Sequence, residues 1–241
     1  MKRLALICAL VTAQPAYPQD LPQPVRLGTD GAYPPYSFLN PDEGLDGFEV
    51  ELASILCAEI AADCTWVRMP WEDLISALDT GKIDAIMSGM GPNPERAQII
   101  AFSEPYHGSG SAAWLVRRGD TLVPGARVAV LKGSLQEGHA MAEGFDVIGT
   151  ATIEAAVEAV AEGTADAAIG MTQLMEGFAA ASDGSLEVTS ARITFDGGVR
   201  IGFRPGETAL LDAFNAGLAA IERGGKLREV TDKWFPPASN N

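Results

Sequence analysis

The sequence predicts an α/β protein of two similar lobes joined by a two-strand hinge. A unit of glycine, two residues, Asp-Ala and an apolar run occurs twice, as Gly81-Lys82-Ile83-Asp84-Ala85-Ile86-Met87 and Gly163-Thr164-Ala165-Asp166-Ala167-Ala168-Ile169. Each copy follows a helix-like stretch, 71–78 and 153–162, so each reads as helix, tight turn and buried strand. Such a repeat points to two lobes of one design, each a parallel-rich sheet. Glycine-rich segments at 108–111 and 197–198 mark two crossovers, and two crossing strands make a hinge. Lobe 1 is then 22–110 plus 199–241, and lobe 2 is 111–198.

The elements follow in order. A first strand spans 25–29 and ends at Asp30. Next comes Ala32-Tyr33-Pro34-Pro35-Tyr36, where paired prolines forbid helix. Helix 50–60, strand 64–69, helix 72–78 and strand 84–88 continue the alternation. Asn93-Pro94-Glu95-Arg96 reads as a helix start, with Asn93 as N-cap and Pro94 in the first position. An apolar strand at 112–116 opens lobe 2, followed by strand 127–131. Ser134-Leu135-Gln136-Glu137 has capping-box spacing at the next helix start. Strand 146–148, helix 153–162 and strand 166–170 follow. After the second crossover come strand 200–203 and two helices, 208–223 and 227–234, that return to lobe 1.

Composition narrows the classes. A chain of 241 residues with 47% hydrophobic content buries a real core. Its formal charge is −15, which disfavours nucleic acid as a partner. Lys2 and Arg3, a short apolar run at 4–11 and the small residues Val11-Thr12-Ala13 read as an export leader over 1–13, with cleavage between 13 and 19. Ile7 before Cys8 argues against a lipoprotein site. Cys57 and Cys64 remain as an even pair on a helix-to-strand return, within reach of a disulfide in an oxidising compartment. His107 and His139 lack ligand spacing from a cysteine, so no metal and no cofactor are expected.

Ligands of parallel sheets bind beyond the carboxyl ends of the strands. Two facing lobes therefore place Ser88-Gly89-Met90-Gly91 and Gly170-Met171-Thr172 at one cleft. Arg96, just after the first of these turns, offers a bidentate fork for a carboxylate. The N-terminus after Gly133-Ser134 offers free N–H groups across the cleft. Tyr33 and Trp71 are placed to wall an apolar slot or stack on a cation, and Asp30 to face the cleft or cap a turn. No nucleophile elbow, phosphate-cradling loop or interpretable carboxylate pair is present, so hydrolase and transferase chemistry is disfavoured.

These residues resemble the periplasmic solute-binding proteins of polar amino-acid ABC transporters, family 3. The likeness rests on Gly28-Thr29-Asp30 with Tyr33-Pro34-Pro35, on 71–78, on Gly81 through Ile86 to Pro94-Glu95-Arg96-Ala97, and on Lys233-Trp234-Phe235. It implies a type II periplasmic-binding-protein fold, a periplasmic location and an inner-membrane permease as partner. It further implies a small carboxylate-bearing ligand and a monomeric binding protein that is not an enzyme. The cysteine pair is similar to a disulfide of the basic-amino-acid branch. Carried over, the resemblance puts Tyr33, Trp71, Ser88, Gly89, Gly91, Arg96, Ser134, Leu135 and Gln136 around the ligand, with Arg96 on its carboxylate.

Three positions depart from the family pattern. Gly91 and Leu135 stand where hydroxyl residues are usual. Met171 stands where the family places an aspartate against the ligand ammonium. The ligand is therefore expected to be a carboxylate whose amine is absent, blocked, delocalised or met elsewhere, with Asp30 or Glu176 as replacement acids. A periplasmic cyclohexadienyl or arogenate dehydratase on the same fold is the alternative.

Overall fold

The computed structural model describes residues 21–108 and 110–236. The leader read at 1–13, its cleavage range 13–19, and Ser109 of the first crossover lie outside the described residues. Near the amino end, β1 (Val25–Thr29) leads into a small antiparallel sheet of β2 (Ala32–Tyr33), β3 (Ser37–Leu39) and β4 (Leu45–Asp46). Helix α1 (Phe48–Glu59), β5 (Cys64–Arg68), α2 (Leu74–Asp79), β6 (Ala85–Ile86) and β7 (Ala101–Phe102) complete the first half. The second sheet is built from β8 (Ser111–Arg117), β9 (Arg127–Leu131), α3 (Leu135–Ala142), β10 (Asp146–Thr150), α4 (Ile153–Ala161), β11 (Ala167–Met171), α5 (Thr172–Ala181) and β12 (Leu186–Thr194). The chain then returns through β13 (Gly202–Phe203), α6 (Thr208–Arg223) and α7 (Lys226–Trp234) to the first lobe.

The two large sheets share one plan. Lobe 1 runs β5-β1-β6-β13-β7 and lobe 2 runs β10-β9-β11-β8-β12. In each, the first three strands and the fifth run in one direction, and the fourth, β13 or β8, runs against them. The sheets are thus parallel-rich but mixed, because one strand in each runs against the other four. Between the sheets the two crossing segments are tied by a bridge between His107 and Val199.

The sequence repeat has a structural meaning. Gly81 and Gly163 both take left-handed conformations, φ 72° and 80°, which a Cβ would disfavour. Behind each, the chain turns back on its helix, Ile83 N–H to the Ala77 carbonyl and Ala165 N–H to the Ala159 carbonyl. The repeated aspartates face away from the cleft. Asp84 accepts from the backbone N–H, Nε and Nη2 of Arg26 at 2.9, 2.9 and 2.7 Å. Asp166 accepts from the same three groups of Arg127 at 2.9, 3.3 and 2.8 Å. A second arginine closes each unit: Arg204 Nη1 bonds the Leu78 and Ile83 carbonyls, and Arg117 Nη1 those of Val160 and Ala165. These clamps were not legible in the sequence.

Several expectations need correction. The helix read from Asn93 is a single 3-10 turn, Arg96–Gln98, although Asn93 Oδ1 does accept the Arg96 N–H at 2.7 Å. The strand at 84–88 shortens to Ala85–Ile86, and that at 200–203 to Gly202–Phe203. Helix 72–78 begins as a 3-10 turn at Trp71–Asp73. Helix α5, strand β12 and the small sheet were not anticipated.

Cys57 and Cys64 are bridged, their Cα atoms 6.3 Å apart. The bridge ties the end of α1 to the start of β5 over a separation of 7 residues. Replacing both cysteines by serine is expected to lower unfolding stability by about 2 kcal/mol, the loop-closure value for so short a loop. Denaturant unfolding with and without reductant checks this; an unchanged midpoint would contradict it.

Candidate functional site

The carboxyl ends of β1, β6, β9 and β11 point at one another, and a cavity of about 60 Å³ lies between the lobes. All eleven residues singled out from the sequence line it: Asp30, Tyr33, Trp71, Ser88, Gly89, Gly91, Arg96, Ser134, Leu135, Gln136 and Met171. Gly170, placed at the cleft by the sequence, also lines it, while Tyr36, Leu131, Ile153, Ile169, Phe195, Gly198 and Val199 complete the wall and were not foreseen. Leu131 could have been read from the predicted strand end at 127–131. The others come from a missed strand or from adjacency in space.

Among the described residues Arg96 is the only cation in the wall, and it is 5% exposed. Nη1 donates to the Gly91 carbonyl at 2.6 Å and Nη2 to the Gly133 carbonyl at 2.5 Å, so the side chain spans both lobes. The guanidinium lies over the Trp71 ring, 5.2 Å from its centroid. No carboxylate lies within ion-pair distance among the described residues, and burial lowers its pKa to about 10. A guanidinium has five N–H donors, so its remaining donors suit an anion. Because the helix at Asn93 is one turn, the fork rather than a helix dipole carries this role.

The opposite face is the N-terminus of α3. Ser134 caps it, its Oγ accepting the Glu137 N–H at 3.1 Å, while Glu137 reaches back to the Gly133 N–H at 2.7 Å. Leu135 and Gln136, in the first turn of this helix, line the same cavity as Arg96, and the early N–H groups of a helix have no partner within it.

Asp30 supplies the opposite charge. Its Oδ1 accepts from Ser88 Oγ at 2.8 Å and from the Ala32 N–H at 3.4 Å. The Ser88 hydroxyl also accepts the Asp30 N–H at 3.1 Å, so Ser88 orients Asp30 rather than standing free. Burial raises the Asp30 pKa, and the Ser88 bond offsets part of that rise. Across the cleft the Tyr33 hydroxyl faces the Gln136 side chain and the Met171 backbone. Tyr33 also stacks on Tyr36 at 5.9 Å between centroids.

Two departures from the family pattern prove to be one. A Cβ on Gly91 would lie 2.9 Å from Leu135 Cδ1, and such a contact forces a shift. Leu135 of lobe 2 therefore packs over the bare backbone of Gly91 in lobe 1, an apolar contact across the cleft. The third departure, Met171, is 6% exposed and packs in the apolar cluster of lobe 1 that includes Tyr36 and Val199. Glu176 is not a replacement acid at the cavity: it is exposed and pairs with Arg192 at 3.2 Å.

Behind the wall lies Glu49, fully buried in the first turn of α1. Its Oε1 accepts the Gly89 N–H at 2.7 Å and the Tyr106 hydroxyl, and its Oε2 has no partner. The apolar stripe Phe48, Leu52 and Leu56 makes this position legible as buried. Burial pushes its pKa up to about 7, against 4.5 for the free group. A folded-state pKa raised in this way favours the fold fully below about pH 4.5. That contribution fades as pH rises through about 7, by about 3 kcal/mol. Glu49→Gln should flatten the stability profile between pH 5 and 7.5, measured by denaturant unfolding; an equal slope in both proteins would rule this out.

Residues 25–237 match the family model described as bacterial extracellular solute-binding proteins, family 3. An L-arginine-binding protein of Pseudomonas aeruginosa is 33% identical, over 98% of this chain and 97% of its own. The crystal structure of a periplasmic His/Glu/Gln/Arg/opine family-binding protein from Silicibacter pomeroyi, in complex with lysine, is similar with a TM-score of 0.84 and 32% identity, covering 90% of this chain and 99% of that one. An ancestral amino-acid-binding protein, a precursor of cyclohexadienyl dehydratase, is similar with a TM-score of 0.74 and 28% identity, over 88% and 94% of the two chains. The curated relatives are substrate-binding transport proteins rather than enzymes. The chain belongs to the bacterial extracellular solute-binding proteins, family 3.

Proposed function

We propose that this protein is the extracytoplasmic solute-binding component of an ABC importer, and that it holds a small amino-acid-like carboxylate between its lobes. The observation that carries the reading is Arg96, a buried cation with no acidic partner among the described residues, in the wall of an interlobe cavity beside the N-terminus of α3. A ligand carboxylate at that place supplies the missing counter-charge and touches both lobes. The bodies that move are 22–110 with 199–241, and 111–198, hinged where His107 meets Val199. Closure presents a ligand-dependent surface to a permease of the inner membrane, and the protein works there as a periplasmic monomer. Its acidity keeps it off nucleic acid.

Trp71 reports on the site directly, since Arg96 lies over its ring. Titrating the mature protein with small amino-acid-like carboxylates and with their uncharged amides should change tryptophan fluorescence for carboxylates alone. An equal response to the amides would overturn the assignment of Arg96.

A further inference from the structure

Glu49 touches both the cleft and the hinge without lining the cavity. Its Oε1 accepts the N–H of Gly89, a cavity residue, at 2.7 Å. The same oxygen accepts the hydroxyl of Tyr106, which lies in the first crossing segment. The Tyr106 N–H bonds the Val199 carbonyl at 3.0 Å, and the next residue, His107, forms the bridge to Val199. One carboxylate oxygen thus joins the cleft turn to the hinge. A second cavity residue, Tyr36, accepts the Glu49 backbone N–H at 2.8 Å. Met171 of lobe 2 packs in the same apolar cluster as Tyr36 and Tyr106, so lobe 2 covers this layer when the lobes meet.

We propose that Glu49 is a positioning residue for closure, tying the turn at Gly89 to the crossing segment at Tyr106, and that closing the cleft on a ligand takes up a proton at its buried Oε2. This rests on the reading that a ligand closes the lobes. Oε1 is already shared by two donors and Oε2 has no partner, so ionisation buries a charge without an ion pair. Lobe 2 over Tyr36 and Gly89 makes that charge costlier. Closure therefore moves a proton from the buffer to Oε2 while Oε1 keeps both bonds. The groups facing Glu49 add no compensating cation: Asp30 beyond β1, Tyr33 and Tyr36 from the loop at β2, and Tyr106. His107 packs on Phe48 and Tyr36, and burial lowers its pKa. In the structure, where the lobes are in contact, burial holds the Glu49 carboxyl at about 7. A group whose pKa is higher in the closed form favours closure below its open-form pKa, and that advantage is lost as pH rises through about 7.

The test is calorimetric titration of the mature protein with the standard L-amino acid that raises its melting temperature most, in phosphate and in Tris buffer. The dependence of the heat on the ionisation heat of the buffer counts the protons bound. The parent is expected to take up about half a proton per ligand at pH 7, and to bind roughly threefold to tenfold more weakly at pH 8 than at pH 6. Glu49→Gln, neutral at every pH, should take up none and lose this pH dependence. Uptake that persists undiminished in Glu49→Gln belongs to Asp30 or a histidine and overturns the inference, as does a parent that takes up no proton. Tyr106→Phe is the second variant. Its hydroxyl favours the charged carboxylate, so without it the fall in affinity should move to higher pH; an unmoved profile contradicts the tie to the hinge. Should no amino acid bind, the proposed function fails rather than this inference, and small-angle scattering of the unliganded proteins decides. Lobes that separate from pH 6 to pH 8 in the parent but not in Glu49→Gln uphold it, and identical behaviour of the two overturns it.

Discussion

Arg96→Met removes carboxylate binding while the protein still folds. The loss expected from deleting one partner of a desolvated, hydrogen-bonded charge pair is about 2–5 kcal/mol, or roughly thirtyfold to several thousandfold in Kd. The upper part of that range applies because Arg96 is 5% exposed and spans both lobes through the Gly91 and Gly133 carbonyls. The unliganded variant should lose little stability relative to the parent, since methionine gives up two hydrogen bonds to carbonyls but also removes a buried guanidinium that has no ion-pair partner among the described residues. Arg96→Lys keeps the charge but loses the planar fork, so it should fall between the two. Titration together with thermal unfolding of the unliganded forms checks each statement. Binding by Arg96→Met within tenfold of the parent would remove Arg96 from the site.

Asp84→Asn destabilises lobe 1 far more than Asp166→Asn destabilises lobe 2, although the two aspartates are copies of one motif. The side chain of Asp84 is 4% exposed and holds Arg26 and Arg204, at 2.7 and 3.5 Å. Neutralising it leaves two arginines without their buried partner, at a cost of about 3 kcal/mol. That is the low end of the usual range, because the Arg26 side chain is 37% exposed and partly screened. Asp166 is 38% exposed, and its bonds to Arg127 are largely in water. Denaturant unfolding of the two variants should therefore give clearly unequal losses. Equal losses would mean that burial does not set the strength of these clamps.

The repeat that revealed two lobes was legible because glycine, aspartate and an apolar run are local signals. The Arg26–Asp84 and Arg127–Asp166 clamps were not, since nothing in the chain links a strand-start arginine to an aspartate in the next βα unit. Helix α5 and strand β12 escaped because 172–194 is rich in Ala, Ser, Gly and Thr, without a clear apolar period. The cavity residues were legible mostly at strand ends and helix starts, where Asp30, Ser88, Ser134 and Met171 fall. The relation of Gly91 to Leu135 was hidden, because the two residues lie on opposite lobes and meet only in the folded protein. Glu49 shows a missed opportunity: its place on the buried stripe of α1 was readable, but its bond to the cleft turn at Gly89 was not.

The most direct test of the central claim, that a carboxylate held by Arg96 closes this protein, is thermal unfolding of the parent and of Arg96→Met in parallel with small carboxylate ligands. A ligand at about a thousand times its Kd adds roughly 4 kcal/mol to the folded state. A shift of that size in the parent, absent from Arg96→Met, is the predicted result. A shift that persists undiminished in Arg96→Met would contradict the account.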